Sequence, residues 1–154
     1  MAMHTWFECK ISYEKTMENG MNKKVTEPYL VDALSFTEAE ARIIEEMTPF
    51  ISGEFTVSDI KRANYSELFP CEEEAADRWF KCKLVFITLD DKSGAEKKTS
   101  TQVLVQAADL RDAVKKLDEG MKGTMADYQI ASVAETAIMD VYPYSAEPDD
   151  KPEV

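Results

Sequence analysis

The densest group of charged side chains on a predicted strand consists of Asp59, Lys61 and Arg62. Asp59 and Lys61 lie two residues apart, so their side chains point to the same face and could act as a general acid and a general base. The sequence supplies no nucleophile, glycine-rich phosphate loop or metal triad to accompany them. An enzyme that uses Asp59 and Lys61 is therefore the least favoured of three hypotheses, and an ion pair is the simpler role.

The cysteines Cys9, Cys71 and Cys82 are the other candidates for covalent chemistry. An odd number of cysteines in a chain without an export signal predicts reduced thiols rather than a disulfide framework. Cys9 and Cys82 alternate with aromatic and aliphatic residues on predicted strands, which is typical of cysteines that pack as small apolar side chains. Because His4 is the lone histidine and no C-x-x-C or H-E-x-x-H spacing occurs, we expect no metal site and no cofactor.

The charge balance limits the classes of partner. Thirty acidic and eighteen basic residues give a formal net charge of -12, which repels nucleic acid and makes direct nucleic-acid binding an unfavoured function. No run approaches the roughly 20 apolar residues that span a bilayer, and the start of the chain lacks the apolar core of a signal peptide. We therefore expect a cytoplasmic protein without a membrane partner.

Two tryptophans open the two copies of a five-residue phrase, WFECK and WFKCK. In strand alternation Trp6 shares a face with Lys10, and Trp79 shares a face with Lys81 and Lys83. Two interpretations stay open. Each tryptophan fills the second face of its sheet, or the two tryptophans and the nearby lysines form a symmetric binding surface.

The phrase belongs to an internal repeat that runs through most of the chain. Trp79 follows Trp6 by 73 residues, and the matches continue at shifts of 73 or 74 through the rest of each copy. One-residue indels in turns are what a duplicated unit tolerates. Arg62 and Glu135 take equivalent positions, so the last strands would allow a salt bridge near the symmetry axis if they meet. The simpler interpretation is a surface or inter-repeat ion pair of small net worth.

Each copy reads as strand, strand, helix, strand. The dipeptide Asn19-Gly20 predicts the first hairpin, since both residues tolerate positive φ. Pro28 lacks a backbone donor and predicts an edge or a bulge in the return strand. The apolar run KLVFITL predicts a central strand in the second copy. The last strands break their alternation, which predicts bulges near 58–59 and 131–132.

Both helices have a recognisable start. Ser35-x-x-Glu38 is a capping box for the first helix, and Asp109-x-x-Asp112 takes the same place before the second. Apolar residues then recur at helical spacing and predict one buried face per helix. These stripes are Phe36, Ala39, Ile43 and Met47 in the first helix, and Leu110, Ala113, Val114, Leu117 and Met121 in the second.

These elements predict an α+β fold made of two β-β-α-β units related by a pseudo-two-fold axis, with six main strands and two helices packed on one face. One unit alone would leave sheet edges open, so the two copies are expected to complete one compact domain. The predicted boundaries are 4–70 for the first repeat, 71–77 for a linker, 78–143 for the second repeat and 144–154 for a disordered acidic tail.

Three features of the sequence resemble an uncharacterised domain-of-unknown-function family of gut anaerobes and their mobile elements. They are the WFxCK phrase, the helix marked by SFTEAEAR and the strand DIKRANYSELF. The likeness covers nearly the whole chain and implies no activity.

At the level of fold, the tandem modules are similar to the GyrI-like effector-binding domains, with the strand order shifted as in a circular permutation. That resemblance implies a cleft between two pseudo-symmetric halves that binds small, often cationic or aromatic molecules. The acidic charge and the paired Trp6 and Trp79 would suit such a cleft.

Three functions follow from these patterns. The preferred one is a non-catalytic binding or accessory protein, monomeric or homo-dimeric, that binds a protein partner through its sheet face or the cleft between the repeats. The second is a small-molecule sensor or sponge, and the third is the enzyme described above. The predicted binding residues are Trp6, Lys10, Asp59, Lys61, Arg62, Trp79, Lys81, Lys83 and Glu135.

Overall fold

A computed structural model gives the structure of residues 5–124 and 127–143. Within these residues the chain forms eight strands in two sheets and two helices, so the predicted α+β class is confirmed. His4 and the predicted acidic tail, 144–154, lie outside the described residues. The elements are β1 (Trp6–Thr16), β2 (Asn22–Asp32), α1 (Phe36–Met47), β3 (Phe55–Ala63), β4 (Glu67–Phe69), β5 (Arg78–Leu89), β6 (Glu96–Ala107), α2 (Leu110–Gly120), β7 (Asp127–Glu135) and β8 (Val141–Tyr142).

The chain divides into two compact units, and the described part of unit 1 consists of residues 5–63 and 138–143. Its strands lie in the order β3-β1-β2-β8, with β1 antiparallel to both β2 and β3. Because β1 alternates, Phe7, Cys9 and Ile11 all point to the face that α1 covers. The core beneath α1 consists of Phe7, Cys9, Ile11, Val31, Ala33, Ala39, Ile43 and Met47.

Unit 2 is the segment Asn64–Ala137. Its strands lie in the order β4-β6-β5-β7, so the apolar run in β5 is central, as predicted. The helix α2 covers one face of this sheet, and every side chain of the core beneath it is at most 3% exposed. That core consists of Phe80, Cys82, Leu84, Val103, Val105, Ala107, Ala113 and Leu117.

The short strands β4 and β8 add to the six strands that were predicted. β4 runs parallel to β6, and β8 runs parallel to β2. In the predicted repeats, β4 falls in the first copy and β8 in the second. The compact units divide after Ala63 and after Ala137, so β4 belongs to unit 2 and β8 to unit 1. Each short strand is thereby in the same unit as its pairing partner. Strands of two or three residues carry too little alternation to be recognised without their partner strand.

Both edge strands β3 and β7 carry the predicted bulge. The register of β1 against β3 skips Ser58, and the register of β5 against β7 skips Ala131. A bulge lets two residues that are three apart point to the same face. Val57 and Ile60 therefore both pack against the core of unit 1.

The two helix starts also form as predicted. Ser35 Oγ accepts a hydrogen bond from the backbone N–H of Glu38 at 3.1 Å, and Asp109 Oδ1 accepts one from the N–H of Asp112 at 2.8 Å. Each bond satisfies an amide that the first helical turn leaves without a partner.

Pro28 lies on the outer edge of β2, as predicted for a residue without a backbone N–H. The N–H of Leu30 donates to Asp140 O, and the N–H of Met139 donates to Pro28 O. The backbone groups of Leu30 and Pro28 therefore face β8. The ring nitrogen of Pro28 points to the same edge, so the pairing of β2 with β1 loses no hydrogen bond there.

The prediction that Phe36 and Leu110 are core residues is wrong. Phe36 is 50% exposed and Leu110 is 51% exposed. Both occupy the first helical position, where a side chain leans back toward the N-terminus and passes beyond the end of the helix. The ring of Phe36 still contacts the core in a T-shaped pair, because its centroid lies 4.9 Å from that of Phe7.

We predict that Leu117→Ala destabilises unit 2 by about 2–5 kcal/mol, since it opens a cavity in a core without solvent access. Leu110→Ala is the matched control on the same helix and removes the same atoms from a half-exposed position, so its cost should be below about 1 kcal/mol. Urea unfolding followed by circular dichroism measures both values. Equal losses for the two variants would contradict the assigned burial.

Candidate functional site

Both tryptophans of the repeated phrase are buried. Trp6 is 4% exposed and Trp79 is 5% exposed, each at the start of a central strand and on the face opposite the helix. The carbonyl oxygen of Trp79 accepts two hydrogen bonds of 2.9 Å from Thr136, one from the N–H and one from the hydroxyl. Within the part of the chain that the structure describes, neither tryptophan side chain is exposed enough to contact a binding partner.

The sheet face of unit 1 opposite α1 combines positive and negative side chains. In the strand register Lys10 lies opposite Asp59, and Glu8 lies opposite Lys61. Asp59 and Lys61 are exposed on the edge strand β3, where water reaches both groups. This face is therefore a set of compensated surface charges, and it lacks the desolvated surroundings that acid-base catalysis generally uses.

The corresponding face of unit 2 carries two lysines without acidic cross-strand neighbours. Lys81 lies opposite Leu104 and Ala134, and both Lys81 and Lys83 are exposed. The cross-strand neighbours of Lys83 are Gln102 and Ser132, which are neutral and polar. We call this surface the lysine face and define it as Lys81, Lys83, Gln102, Ser132 and Ala134.

Arg62 and Glu135 make contacts within their own units. The guanidinium carbon of Arg62 lies 5.7 Å from the centroid of the Phe7 ring, which is a cation-π distance. Glu135 Oε1 lies 3.8 Å from Arg78 Nη1, and both side chains are about half exposed. The arginine that faces Glu135 was not predicted, since Arg78 precedes the repeated phrase and lies 57 residues away in sequence.

A chain of hydroxyl groups, absent from the predicted site, lies on the compensated face of unit 1. Ser12 Oγ is 2.9 Å from Thr26 Oγ1 and donates to Ser58 Oγ at 3.1 Å. Ser58 in turn donates to Lys10 O at 3.2 Å. Ser12 is buried, so these bonds satisfy its hydroxyl and fix the bulged residue Ser58 against β1.

An open groove of about 950 Å³ lies beside the hairpin of unit 1. Its walls combine the rings of Tyr13 and Phe55 with the charged groups of Glu14, Lys24 and Glu54. Small-molecule sites are mostly enclosed by apolar walls that remove the ligand from water. This groove is open and charged, so it does not have the character of such a site.

A lysine on α2 ties that helix to the segment before β5. Lys116 Nζ lies 2.6 Å from Asp112 Oδ2 and 3.1 Å from Glu73 Oε1. The hydrogen bond to Asp112 raises the pKa of Lys116, and the same bond lowers the pKa of Asp112. The lysine is therefore held in its charged form as a structural link.

The thiols of Cys9 and Cys82 are buried in the two cores. Burial raises the pKa of Cys9 to about 12 and that of Cys82 to about 11. The reactive form of cysteine is the thiolate, so both residues are inert near neutral pH. Cys71 is half-buried, and its backbone N–H donates to Gln106 Oε1 at 2.9 Å.

Residues 5–124 and 127–143 contain no group of three or more His, Cys, Asp and Glu side chains arranged to hold a metal ion. Over the same residues, neither helix is long and apolar enough to cross a membrane.

A family model for a domain of unknown function, DUF4494, matches residues 5–144. The chain belongs to the DUF4494 family. The DUF4494 match runs through unit 1 and unit 2, so the family domain comprises both. No curated protein and no solved structure matches the chain.

We predict that a thiol reagent labels the native protein at Cys71 alone, because Cys9 and Cys82 are buried and protonated. In concentrated guanidinium chloride all three cysteines should react. Release of thionitrobenzoate from Ellman's reagent counts the labelled thiols, and Cys71→Ala is the control that should abolish native labelling. Rapid native labelling of the Cys71→Ala variant would contradict the burial of the other two.

From the raised pKa of the buried Cys9 thiol we also predict a loss of stability at alkaline pH. In the unfolded chain the thiol ionises near its ordinary value of 9.0, whereas the folded thiol keeps its proton up to about 12. Between these values the unfolded state binds fewer protons, so the free energy of unfolding falls as the pH rises. The contribution is at most about 1.4 kcal/mol per pH unit. Urea unfolding at a series of pH values should show that the free energy of unfolding falls more steeply at alkaline pH for the wild type than for Cys9→Ala. The same slope for both proteins would contradict the prediction.

Proposed function

We propose that this protein is a non-catalytic binding protein and that the lysine face receives an acidic segment of another protein. The observation that carries the proposal is the pair of exposed lysines, Lys81 and Lys83, among neutral cross-strand neighbours on a protein whose net charge is -12. On unit 1 the equivalent lysine, Lys10, lies opposite Asp59. Of the two sheet faces, the one on unit 2 therefore leaves its lysines without an acidic cross-strand neighbour.

The spacing of the two lysines favours an extended peptide. Lys81 and Lys83 are two residues apart on one strand, which places them about 7 Å apart along the strand axis. An extended segment with Asp or Glu at alternate positions presents carboxylates at the same spacing. Gln102 and Ser132 lie beside Lys83 in the register and can donate or accept hydrogen bonds at the same surface.

A role in binding rather than catalysis is supported by the surroundings of the reactive groups. The thiols of Cys9 and Cys82 are held protonated in the cores, and Asp59 and Lys61 lie in water on an edge strand. The buried tryptophans are better suited to filling their sheets than to contacting a partner. The alternative of a small-molecule sensor stays a prediction.

We predict that Lys81→Ala together with Lys83→Ala weakens binding of a fluorescein-labelled peptide with glutamate at alternate positions by about tenfold or more, since two charge-assisted contacts are lost. Fluorescence anisotropy at low salt measures the affinity. The matched control is Lys10→Ala together with Lys61→Ala, which removes the same charge from the compensated face and should leave the affinity unchanged.

Two outcomes would contradict this proposal. Equal affinities for the wild type and the variant of the lysine face would exclude that surface as the binding site. Tighter binding of a single-stranded DNA oligonucleotide than of the peptide, lost in the same variant, would assign the face to a nucleic acid instead.

A further inference from the structure

The outer edge of β6, the edge away from β5, has no role in the proposed function. β4 pairs with β6 from Val103 to Val105, and the carbonyl oxygen of Gln102 accepts a hydrogen bond of 2.8 Å from the N–H of Ser66. The backbone groups of Gln102 therefore face away from β5. The register of β5 against β6 is continuous, so the backbone groups of every second residue toward the hairpin face outward as well.

Those outward residues are Glu96, Lys98 and Ser100. Their N–H and C=O groups have no backbone partner among the described residues, and all three side chains are exposed. A row of unpaired backbone donors and acceptors is a template for another strand. The segment from Glu96 to Thr101 contains no proline that would interrupt such pairing.

The corresponding strand of unit 1 differs at this edge. In β2 an outward position is taken by Pro28, which has no N–H, and its carbonyl oxygen already accepts a bond from Met139. A strand that paired with β2 here would find no N–H on Pro28 and would find its carbonyl oxygen already hydrogen-bonded. Gln102 takes the corresponding place in β6, and its carbonyl oxygen is likewise occupied, so at this position the two edges differ in the N–H that Pro28 lacks.

Charge complementarity identifies the strand that fits this edge. When two copies of β6 run antiparallel about Lys97, Glu96 of each copy lies opposite Lys98 of the other, with the two residues of each pair exchanging backbone hydrogen bonds. Opposite charges that face each other across an antiparallel ladder stabilise it. The register centred on Lys97 also places Lys97 opposite itself on the other face of the ladder, so two opposite pairs outnumber one like pair. A register centred on Lys98 would likewise place that lysine opposite itself and would form no opposite pair. A register centred on Thr99 would place Glu96 opposite Gln102, whose carbonyl already binds Ser66.

We propose that two copies of this chain associate through the outer edges of their β6 strands, antiparallel and centred on Lys97, with reciprocal Glu96–Lys98 pairs. The contact is short, and each copy carries a formal net charge of -12. The dimer is consequently weak, dependent on protein concentration and weakened by salt that screens the paired charges.

Charge reversal with mixing tests both the surface and its register. Sedimentation velocity over a series of protein concentrations should show a monomer-dimer equilibrium for the wild type. Lys98→Glu and Glu96→Lys should each weaken the dimer by about tenfold or more, because each places like charges opposite one another. An equimolar mixture of the two variants restores both opposite pairs and should dimerise about as tightly as the wild type.

The control for the change in net charge is Lys115→Glu, an exposed position on α2 that leaves the edge of β6 unchanged. It should dimerise like the wild type. A wild type that stays monomeric at every concentration would overturn the proposal, as would a Lys98→Glu variant that dimerises normally. Failure of the mixture to restore the dimer would overturn the register centred on Lys97.

Discussion

Each four-stranded sheet is covered on one face by a single helix, and the rest of the structure depends on this constraint. Helices of 12 and 11 residues shield only a limited area, so each central strand must turn a row of apolar side chains toward its helix. The central strands meet this need by alternation, which places Phe7, Cys9 and Ile11 under α1 and Phe80, Cys82 and Leu84 under α2. Cysteine fills the narrow position between an aromatic and an aliphatic residue in both rows.

The remaining features follow from the same need to cover the core. The bulges at Ser58 and Ala131 turn an additional apolar residue of each last strand toward the helix. The caps formed by Ser35 and Asp109 fix the first turn of each helix, so the stripe that follows meets the sheet in the right phase. A change of one residue in either place would rotate apolar side chains out of the core.

The faces opposite the helices are where the two units differ. They have the same order of their four longest elements, yet Lys10 and Lys61 have acidic cross-strand neighbours in unit 1 and Lys81 and Lys83 have neutral ones in unit 2. Similar backbones therefore support different surfaces, because the exposed outward positions are free of the packing constraint that fixes the inward half of each strand. A difference in function between the units would arise in these outward residues.

The sequence by itself determined the elements whose signals are local. Hairpin glycines, capping boxes, alternation and its interruption act between residues close in the chain, and they predicted the six long strands, both helices and both bulges. Burial of Trp6 and Trp79 could not be derived in this way, since both lie on the outward phase of their strands. The exposure of Phe36 and Leu110 likewise depended on where the first helical turn ends relative to the sheet.

Only the tertiary structure decided which residues of the candidate site lie together. It placed Asp59 opposite Lys10, Arg62 over Phe7 and Glu135 beside Arg78, and it left Lys81 and Lys83 without acidic neighbours. It also paired β8 with β2 and β4 with β6. These pairings cover part of the outer edges of β2 and β6, and they leave the rest of the β6 edge open. These relations join residues distant in the chain through strand register, and register is set by the packing of a whole sheet rather than by any local pattern.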